Sequence, residues 1–243
     1  DNLAGDARQV ALLHTDGTER YAFRDRVLAE AGGHEGHEGH SEHGDEAHED
    51  EGHDEGAHEA HNDHGHDHGN GRIDPHAWLD PANARHWVGL IAETLAAEDP
   101  ANADQYRDNA EAVRADIEAM TADIRAAVEP VSDVPFVVFH DAYQYFERRF
   151  GMNTVGAISL SDASDPSPAH IAEIRTVVDR HDVQCVFAEP QFNPQLVKTV
   201  LDGTDARTGV LDPMGSDIAV GEGFYATLIS QLGERLVTCL EGS

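Results

Sequence analysis

Residues 33–72 form the segment that most limits how this chain can fold, because they include no apolar side chain larger than alanine. Eleven histidines alternate there with Glu, Asp and Gly, so we expect a disordered loop outside any core. Neutral imidazole is the commonest protein ligand for Zn²⁺, and carboxylates can complete the coordination shell. The irregular spacing predicts several weak metal sites rather than one rigid site. The histidines are His34, His37, His40, His43, His48, His53, His58, His61, His64, His66 and His68.

A purification tag and a plain acidic spacer are the alternatives to a metal-binding role for this segment. A tag would be an unbroken histidine run at a chain end, and this segment is neither unbroken nor terminal. A solvated acidic spacer stays open as an alternative, although a spacer has no need of so many histidines. Zn²⁺ is the expected metal, and Ni²⁺, Cu²⁺ and Co²⁺ also suit imidazole ligands.

The charge of the chain argues against one class of partner. The formal net charge is −31 and Lys198 is the single lysine, so nucleic acid, which needs a basic surface, is not an expected partner. An acid-rich, lysine-poor surface resembles that of proteins from salt-loving organisms, where salt screens the self-repulsion. No run is long and apolar enough for a transmembrane helix. The start at Asp1 without methionine or signal peptide predicts a processed or truncated piece.

Alternating strand and helix patterns predict an α/β fold with a mainly parallel sheet flanked by helices. Residues 7–13 are predicted as a short strand or extended segment, and 23–31 as a short helical piece. Asp80-Pro81 and Asp99-Pro100 each combine an N-cap carboxylate with a first-turn proline, which predicts two helices, the second long. Further strands are predicted at 135–139, 154–160, 183–187 and 208–211, and further helices at 141–150, 167–179, 194–201 and 224–240.

Three potential metal ligands lie at the carboxyl ends of predicted strands. They are His140, Glu189 and Asp212, and the carboxyl ends of parallel strands are where such sheets bind ligands. His76 lies just before the helix that starts at Asp80. A structural role stays open for both histidines: His140 could cap the following helix, and His76 could be held by a neighbouring aspartate.

Several single residues carry weaker predictions. Cys185 and Cys239 are 54 residues apart and fit no metal-knuckle spacing, so they form either one disulfide or two buried thiols. His86 is expected to be solvated on a helix face. His170 and His181 flank a predicted helix and are expected to serve caps or solvent.

Four sequence motifs resemble those of the zinc-binding solute-binding proteins of metal ABC importers, of the ZnuA-like, cluster A-I type. They occur in that family's order, and the acidic, histidine-rich loop precedes the first motif, as in that type. The motifs are Asp74-Pro75-His76-Ala77-Trp78-Leu79-Asp80-Pro81, Phe139-His140-Asp141-Ala142-Tyr143-Gln144-Tyr145-Phe146, Cys185-Val186-Phe187-Ala188-Glu189-Pro190-Gln191-Phe192 and Leu211-Asp212-Pro213-Met214-Gly215.

The resemblance implies a two-lobed receptor that binds metal between α/β lobes joined by a long helix. His76 and His140 match the family's second and third histidine ligands, and Asp212 matches a carboxylate near or on the metal. Glu189 is expected to support the site rather than to bind metal. Cys185 and Cys239 fall where the zinc type has a disulfide.

The same resemblance implies a division of the chain. The expected parts are a remnant of the N-terminal lobe (1–32), the loop (33–72), the end of that lobe (73–100), the linker helix (101–130) and the C-terminal lobe (131–243). The family's first histidine ligand has no match, because the surroundings of His14 differ from that motif. Most of the N-terminal lobe is therefore expected to be missing.

The expected function is capture of Zn²⁺ outside the cytoplasm, in the periplasm or at the cell surface, by a monomer that is membrane-anchored in its full-length form. It would deliver the ion to an ABC permease. Mn²⁺ is less favoured, because manganese receptors have a carboxylate at the His140 position. A metal-storage protein and a zinc hydrolase are the alternatives. The hydrolase is the weaker one, because the chain has no His-Glu-x-x-His motif.

Overall fold

The computed structural model describes residues 7–24, 73–159 and 166–242, which belong to one structural unit. Its centre is a four-stranded parallel sheet with the strand order β2-β1-β3-β4, which confirms the predicted α/β class. The strands are β1 (Phe136–His140), β2 (Thr154–Ser159), β3 (Cys185–Ala188) and β4 (Arg207–Val210). The helices are α1 (Pro81–Glu98), α2 (Ala103–Val128), α3 (Gln144–Phe150), α4 (Pro168–Arg180), α5 (Pro194–Leu201) and α6 (Phe224–Leu240).

Helices cover both faces of the sheet, which explains why the two central strands, β1 up to Phe139 and β3, are continuous apolar runs in the sequence. Along β1 the side chains alternate between the two faces. Phe136 and Val138 pack in one core cluster with residues of α2, α3 and α6. Val137 and Phe139 pack in a second cluster with residues of α4 and α5. The strand ends that carry polar side chains are therefore held by apolar packing on both sides.

Several helix boundaries follow from local capping residues. The Asp80 carboxylate accepts a hydrogen bond from the backbone N–H of Ala82 at 2.8 Å and begins α1. The Ser167 hydroxyl accepts one from His170 N–H at 3.2 Å and begins α4. Gly151 ends α3 with a φ of 72°, a left-handed conformation that glycine adopts without steric cost.

The long helix α2 packs against α1 and α6. It begins at Ala103, after a 3-10 turn at Pro100–Asn102, rather than directly at the predicted Asp99-Pro100 start. Val113 is 43% exposed, although it belongs to the apolar stripe of the sequence. The residues that α2 buries are Ala110, Ile117, Met120, Ile124 and Val128.

Two sequence predictions about local structure differ from the structure. Of the two alternatives predicted for residues 7–13, the strand is wrong: the segment belongs to no strand, Ala11 has an extended backbone, and Leu12–His14 form a 3-10 turn. Helix α3 begins at Gln144 instead of residue 141, because residues 141–143 form the turn that leaves β1. The helical piece predicted at 23–31 lies almost entirely outside the described residues.

A disulfide joins β3 to α6. Cys185 and Cys239 have Cα atoms 6.2 Å apart and are bonded through sulfur, the pairing that the family resemblance implies. In the part of the chain that the structure describes, no helix has both the length and the apolar character needed to cross a lipid bilayer.

Candidate metal centre

His140 is the last residue of β1 and is 4% exposed at the carboxyl edge of the sheet. Glu189 follows the last residue of β3, so its carboxylate reaches the same edge. The Glu189 Oε1 lies 2.7 Å from His140 Nδ1 and also accepts a hydrogen bond from the His140 backbone N–H at 3.3 Å. Because β1 and β3 are adjacent and parallel, the sheet topology itself brings these two residues together.

His76 is held by a turn instead of a strand end. It precedes a 3-10 turn at Ala77–Leu79 and is 6% exposed. The buried Asp74 Oδ1 lies 2.7 Å from His76 Nδ1 and accepts a hydrogen bond from the His76 backbone N–H at 2.9 Å. The second oxygen of Asp74, Oδ2, accepts a hydrogen bond from Gln144 Nε2 at 3.1 Å. Both the ring and the backbone of His76 are therefore fixed by one carboxylate.

The two imidazole rings are neighbours in an edge-to-face arrangement. Their centroids are 5.3 Å apart and their planes meet at 65°. Each ring directs Nδ1 at a carboxylate, which favours the tautomer with a proton on Nδ1 and a lone pair on Nε2. Carboxylate partners of this kind fix the orientation of imidazole ligands. The arrangement suits a borderline cation such as Zn²⁺, which accepts nitrogen and oxygen ligands.

Aromatic side chains flank both rings. The ring centroid of Trp78 lies 5.3 Å from that of His76, and the centroid of Phe192 lies 5.3 Å from that of His140. The ring centroid of Tyr143 lies 6.2 Å from that of His140. Burial, together with nearby carboxylates, raises the pKa of Tyr143 well above its usual range, so the phenol stays neutral. These aromatic side chains make the surroundings of the rings less polar, which strengthens the attraction between a cation and the buried carboxylates.

Asp212 follows β4 on the loop after Leu211 and is 3% exposed. Its Oδ1 accepts hydrogen bonds from Gln191 Nε2 at 2.6 Å and Met214 N–H at 3.0 Å. Its Oδ2 accepts two from Ser216, from the backbone N–H and the hydroxyl, both at 2.6 Å. Burial opposes ionisation, but these hydrogen bonds outweigh it and lower the pKa of Asp212. The carboxylate is therefore charged at neutral pH.

The structure brings His76 and His140 into contact, whereas Asp212 is linked to them less directly. The link is Trp78, whose Nε1 donates a hydrogen bond to the Pro213 carbonyl at 3.1 Å. Among the residues that the structure describes, no three His, Cys, Asp or Glu side chains are grouped closely enough to hold a metal ion. The ligand set of His76, His140 and Asp212 therefore stays a prediction.

The remaining histidines of the described residues lie elsewhere. The expectation that His86 is solvated is wrong: its ring is half-buried and packs against Gly17, and its Nε2 has no hydrogen-bond partner among the described residues. His170 Nε2 lies 3.0 Å from the Ala157 carbonyl oxygen. His181 follows α4 as its C-cap residue, in line with the expected capping role. The eleven histidines of 33–72 lie outside the described residues.

The sequence reveals little of how His76 is supported. Asp74 stands out only as a possible hydrogen-bond partner, although an aspartate two residues before a histidine commonly bonds its backbone N–H. Gln144 carries no signal of a role at the site. Its contact with Asp74 joins residues 70 positions apart, and no local pattern indicates such a pairing.

Comparison with known proteins identifies the family. The model of the family described as "Zinc-uptake complex component A periplasmic" matches residues 12–239. The chain belongs to the ZnuA family. Two curated relatives carry the name High-affinity zinc uptake system protein ZnuA. The protein of Brucella abortus (strain 2308) is 46% identical over 170 residues, or 70% of this chain and 51% of the relative. That of Paracoccus denitrificans is 40% identical over 168 residues, or 69% and 52%.

Solved structures show the same fold. A mutant of the laminin-binding adhesin Lmb from Streptococcus agalactiae matches with a TM-score of 0.63 and 29% identity, covering 70% of this chain and 64% of that one. A Zn(II)-bound AdcAII variant of Streptococcus pneumoniae matches with a TM-score of 0.58 and 27% identity, covering 68% and 61%. The chain spans about half the length of the curated relatives it matches. Membership of this family of binding proteins disfavours the zinc-hydrolase alternative.

Proposed function

We propose that this chain captures Zn²⁺ outside the cytoplasm and passes it to the permease of an ABC-type metal importer. The observation that carries this proposal is the pair of buried histidines, His76 and His140, whose rings lie 5.3 Å apart and each bind a carboxylate through Nδ1. Two further facts support it. The matched family model is described as a periplasmic zinc-uptake component, and the relatives carry the name of zinc uptake proteins.

In this proposal each residue has one role. His76 and His140 bind the ion through Nε2, and Asp212 supplies a carboxylate near or on the metal. Asp74 and Glu189 orient the two imidazoles without binding the ion. Nitrogen ligands from both histidines favour Zn²⁺ over Mn²⁺, which prefers carboxylate oxygen.

The larger organisation is proposed by analogy with the family. Residues 101–130 act as the helix between lobes, and residues 131–243 form the C-terminal lobe with the sheet. Residues 1–32 and 73–100 belong to an N-terminal lobe. The histidine-rich segment 33–72 is an accessory metal-binding loop. The protein acts as a monomer, and its full-length form is anchored to the membrane.

A zinc competition titration with a chromophoric chelator tests the site. The variants are His76→Ala and His140→Ala, with His14→Ala as the control because that histidine is exposed and lies outside the ring pair. We expect each of the first two changes to remove the tightest zinc site and the control to leave it unchanged. Unchanged tight binding in both variants would exclude the ring pair as the zinc site. Uptake of zinc into vesicles that contain the importer's permease then tests delivery.

A metal-storage role is the second candidate, because the eleven histidines of 33–72 exceed what one capture site needs. Deleting residues 34–70 separates the two functions. A capture protein keeps one tight site after the deletion, whereas a storage protein loses nearly all its metal. The ordinary pKa of histidine is about 6.5 and metal needs the neutral imidazole, so zinc bound by these histidines should be released between about pH 7.5 and 5.5. If intact and deleted proteins lose the same amount of zinc at the same pH, the loop is not an independent store.

A further inference from the structure

Gln144 connects the His76 turn to a second part of the chain through one buried amide. It is the first residue of α3 and is 2% exposed. Its Nε2 donates hydrogen bonds to Asp74 Oδ2 at 3.1 Å and to the Ala22 carbonyl at 3.1 Å. An amide NH₂ group has two hydrogens, so both donors of Gln144 are used.

The backbone of Asp74 is fixed from two further directions. Its N–H donates a hydrogen bond to the Tyr21 carbonyl at 2.8 Å. Its carbonyl accepts one from the Tyr145 hydroxyl at 2.9 Å, and that hydroxyl accepts one from Tyr21 N–H at 3.1 Å. Asp74 is therefore held at its N–H by Tyr21, at its carbonyl by Tyr145 and at its carboxylate by Gln144.

The carboxylate of Asp74 cannot rotate without losing hydrogen bonds. One oxygen binds His76 and the other binds Gln144, and the whole side chain is buried. Rotation would leave buried polar groups without partners, which is costly in a protein interior. Without the amide, Oδ2 loses its donor and the carboxylate can turn away from the His76 ring.

Gln144 also lies four residues after His140, across the short turn that joins β1 to α3. Gln144 thus connects the turn that carries His76 to strand β1, which carries His140. We infer that Gln144 is a positioning residue for zinc capture: by holding Asp74, it fixes the His76 ring in the orientation that faces His140. This inference rests on the proposed function of the ring pair.

Gln144→Met removes both donated hydrogen bonds and nearly preserves the side-chain volume. The matched control is Thr18→Val, because Thr18 is also buried and anchors the same N-terminal segment. The Thr18 hydroxyl accepts a hydrogen bond from Trp87 Nε1 at 2.9 Å, lies 3.0 Å from the Leu12 carbonyl and from the Thr15 hydroxyl, and has no hydrogen bond to Asp74. Tyr145→Phe is a second variant, which loosens the Asp74 carbonyl if the methionine variant fails to fold.

The full-length chain is measured in two ways. Competition titration gives the affinity of the tightest zinc site, with His76→Ala as the reference for a lost ligand. Nitrogen-15 NMR of labelled histidine gives the solvent exchange rate of the His76 Nδ1 proton, assigned by its absence in His76→Ala. A purely structural role of Gln144 would not change that exchange rate selectively.

We expect Gln144→Met to weaken the tightest site by about 10-fold, the lower end of what supporting residues contribute to metal sites. The Nδ1 proton of His76 should exchange faster in Gln144→Met and Tyr145→Phe and should be unchanged in Thr18→Val. Equal effects of Gln144→Met and Thr18→Val, or no effect of either, would overturn the inference. If His76→Ala binds zinc as tightly as the wild type, the proposed function fails, and the exchange rates still decide whether Gln144 positions the ring.

Discussion

The two halves of the proposed metal site are built in different ways. His140 and Glu189 lie at the ends of adjacent parallel strands, so the sheet places them together. His76 and Asp74 lie on one turn, and their geometry depends on hydrogen bonds from distant side chains such as Gln144. The first half therefore depends on global topology, whereas the second half depends on a local turn and a buried polar network.

This difference implies different responses to mutation. The strand-end half should resist changes outside its own residues, because apolar packing on both faces holds the sheet. The turn half should be sensitive to single buried hydrogen bonds, because each supports the others. Substitutions that affect one half and spare the other can therefore test this contrast.

Removal of the disulfide should have the largest effect on stability. Replacing both Cys185 and Cys239 by alanine should lower the free energy of unfolding by about 2–5 kcal/mol, because the bond constrains the unfolded chain. The zinc affinity of the folded variant should stay close to that of the wild type, since Glu189 remains at the end of β3. Urea unfolding and zinc titration measure the two quantities. A large loss of affinity in folded protein would contradict the robustness of the strand-end half.

Loss of either supporting carboxylate should weaken zinc binding. Glu189→Ala and Asp74→Ala should each reduce the affinity by about 10–100-fold, the usual range for partners of metal-bound histidines. Asp74→Ala should also lower stability more, because the second oxygen of Asp74 accepts a further buried hydrogen bond from Gln144 Nε2. Glu189→Gln serves as the control, because its amide oxygen can still accept from the His140 ring. Equal affinity in wild type and both alanine variants would exclude a supporting role.

The hydrogen bond between the His76 turn and the Asp212 loop should contribute a smaller amount to the free energy of unfolding. Trp78→Phe removes the hydrogen bond to the Pro213 carbonyl and should cost about 0.5–1.5 kcal/mol of stability. Trp87→Phe is the matched control, because it removes a hydrogen bond of similar length, 2.9 Å to Thr18. Only Trp78→Phe should also weaken zinc binding. The same zinc affinity in both variants would show that the hydrogen bond from Trp78 to Pro213 has no role in the site.

A still smaller effect concerns acid stability. The folded-state pKa of Asp212 lies below its ordinary value, so its stabilising contribution is present above that value, about 3.9, and is lost as the pH falls through the folded-state pKa. Ser216→Ala removes one of the hydrogen bonds that lower this pKa. The variant should therefore be less stable than the wild type at neutral pH, and the difference should shrink at acid pH. Urea unfolding at several pH values measures it. A stability difference between variant and wild type that does not change with pH would contradict the role of this hydrogen bond in lowering the pKa of Asp212.

Salt should affect the fold as a whole and should not distinguish the two halves. The net charge of −31 predicts that molar salt stabilises the chain, because salt screens self-repulsion. Thermal unfolding in dilute and molar salt tests this prediction. A lower midpoint in molar salt would contradict it.

The sequence predicts the strand-end half of the site better than the turn half. Apolar runs bounded by helix caps identify the strands, and the rule for parallel sheets then places His140 and Glu189 at one edge. Helices α5 and α6 have the predicted bounds, because Pro194 and the apolar period after residue 223 mark them clearly. These signals are local, so a single sequence contains them.

The turn half needs information that no local pattern holds. The contact of Gln144 with Asp74 and that of Tyr145 with Tyr21 each join distant parts of the chain. Of the two alternatives predicted for residues 7–13, the strand is wrong because Leu12–His14 form a 3-10 turn and the segment does not join the sheet. The prediction of a solvated His86 is wrong because a helix position alone does not reveal its packing against Gly17.

If both halves bind the same ion, X-ray absorption at the zinc edge should detect the two imidazoles together. The sample is the chain without residues 34–70, loaded with less than one equivalent of zinc so that only the tightest site is filled. We predict imidazole scattering from both His76 and His140, reduced to a single imidazole in either alanine variant. Imidazole scattering that is the same in the wild type and in both variants would contradict a shared site.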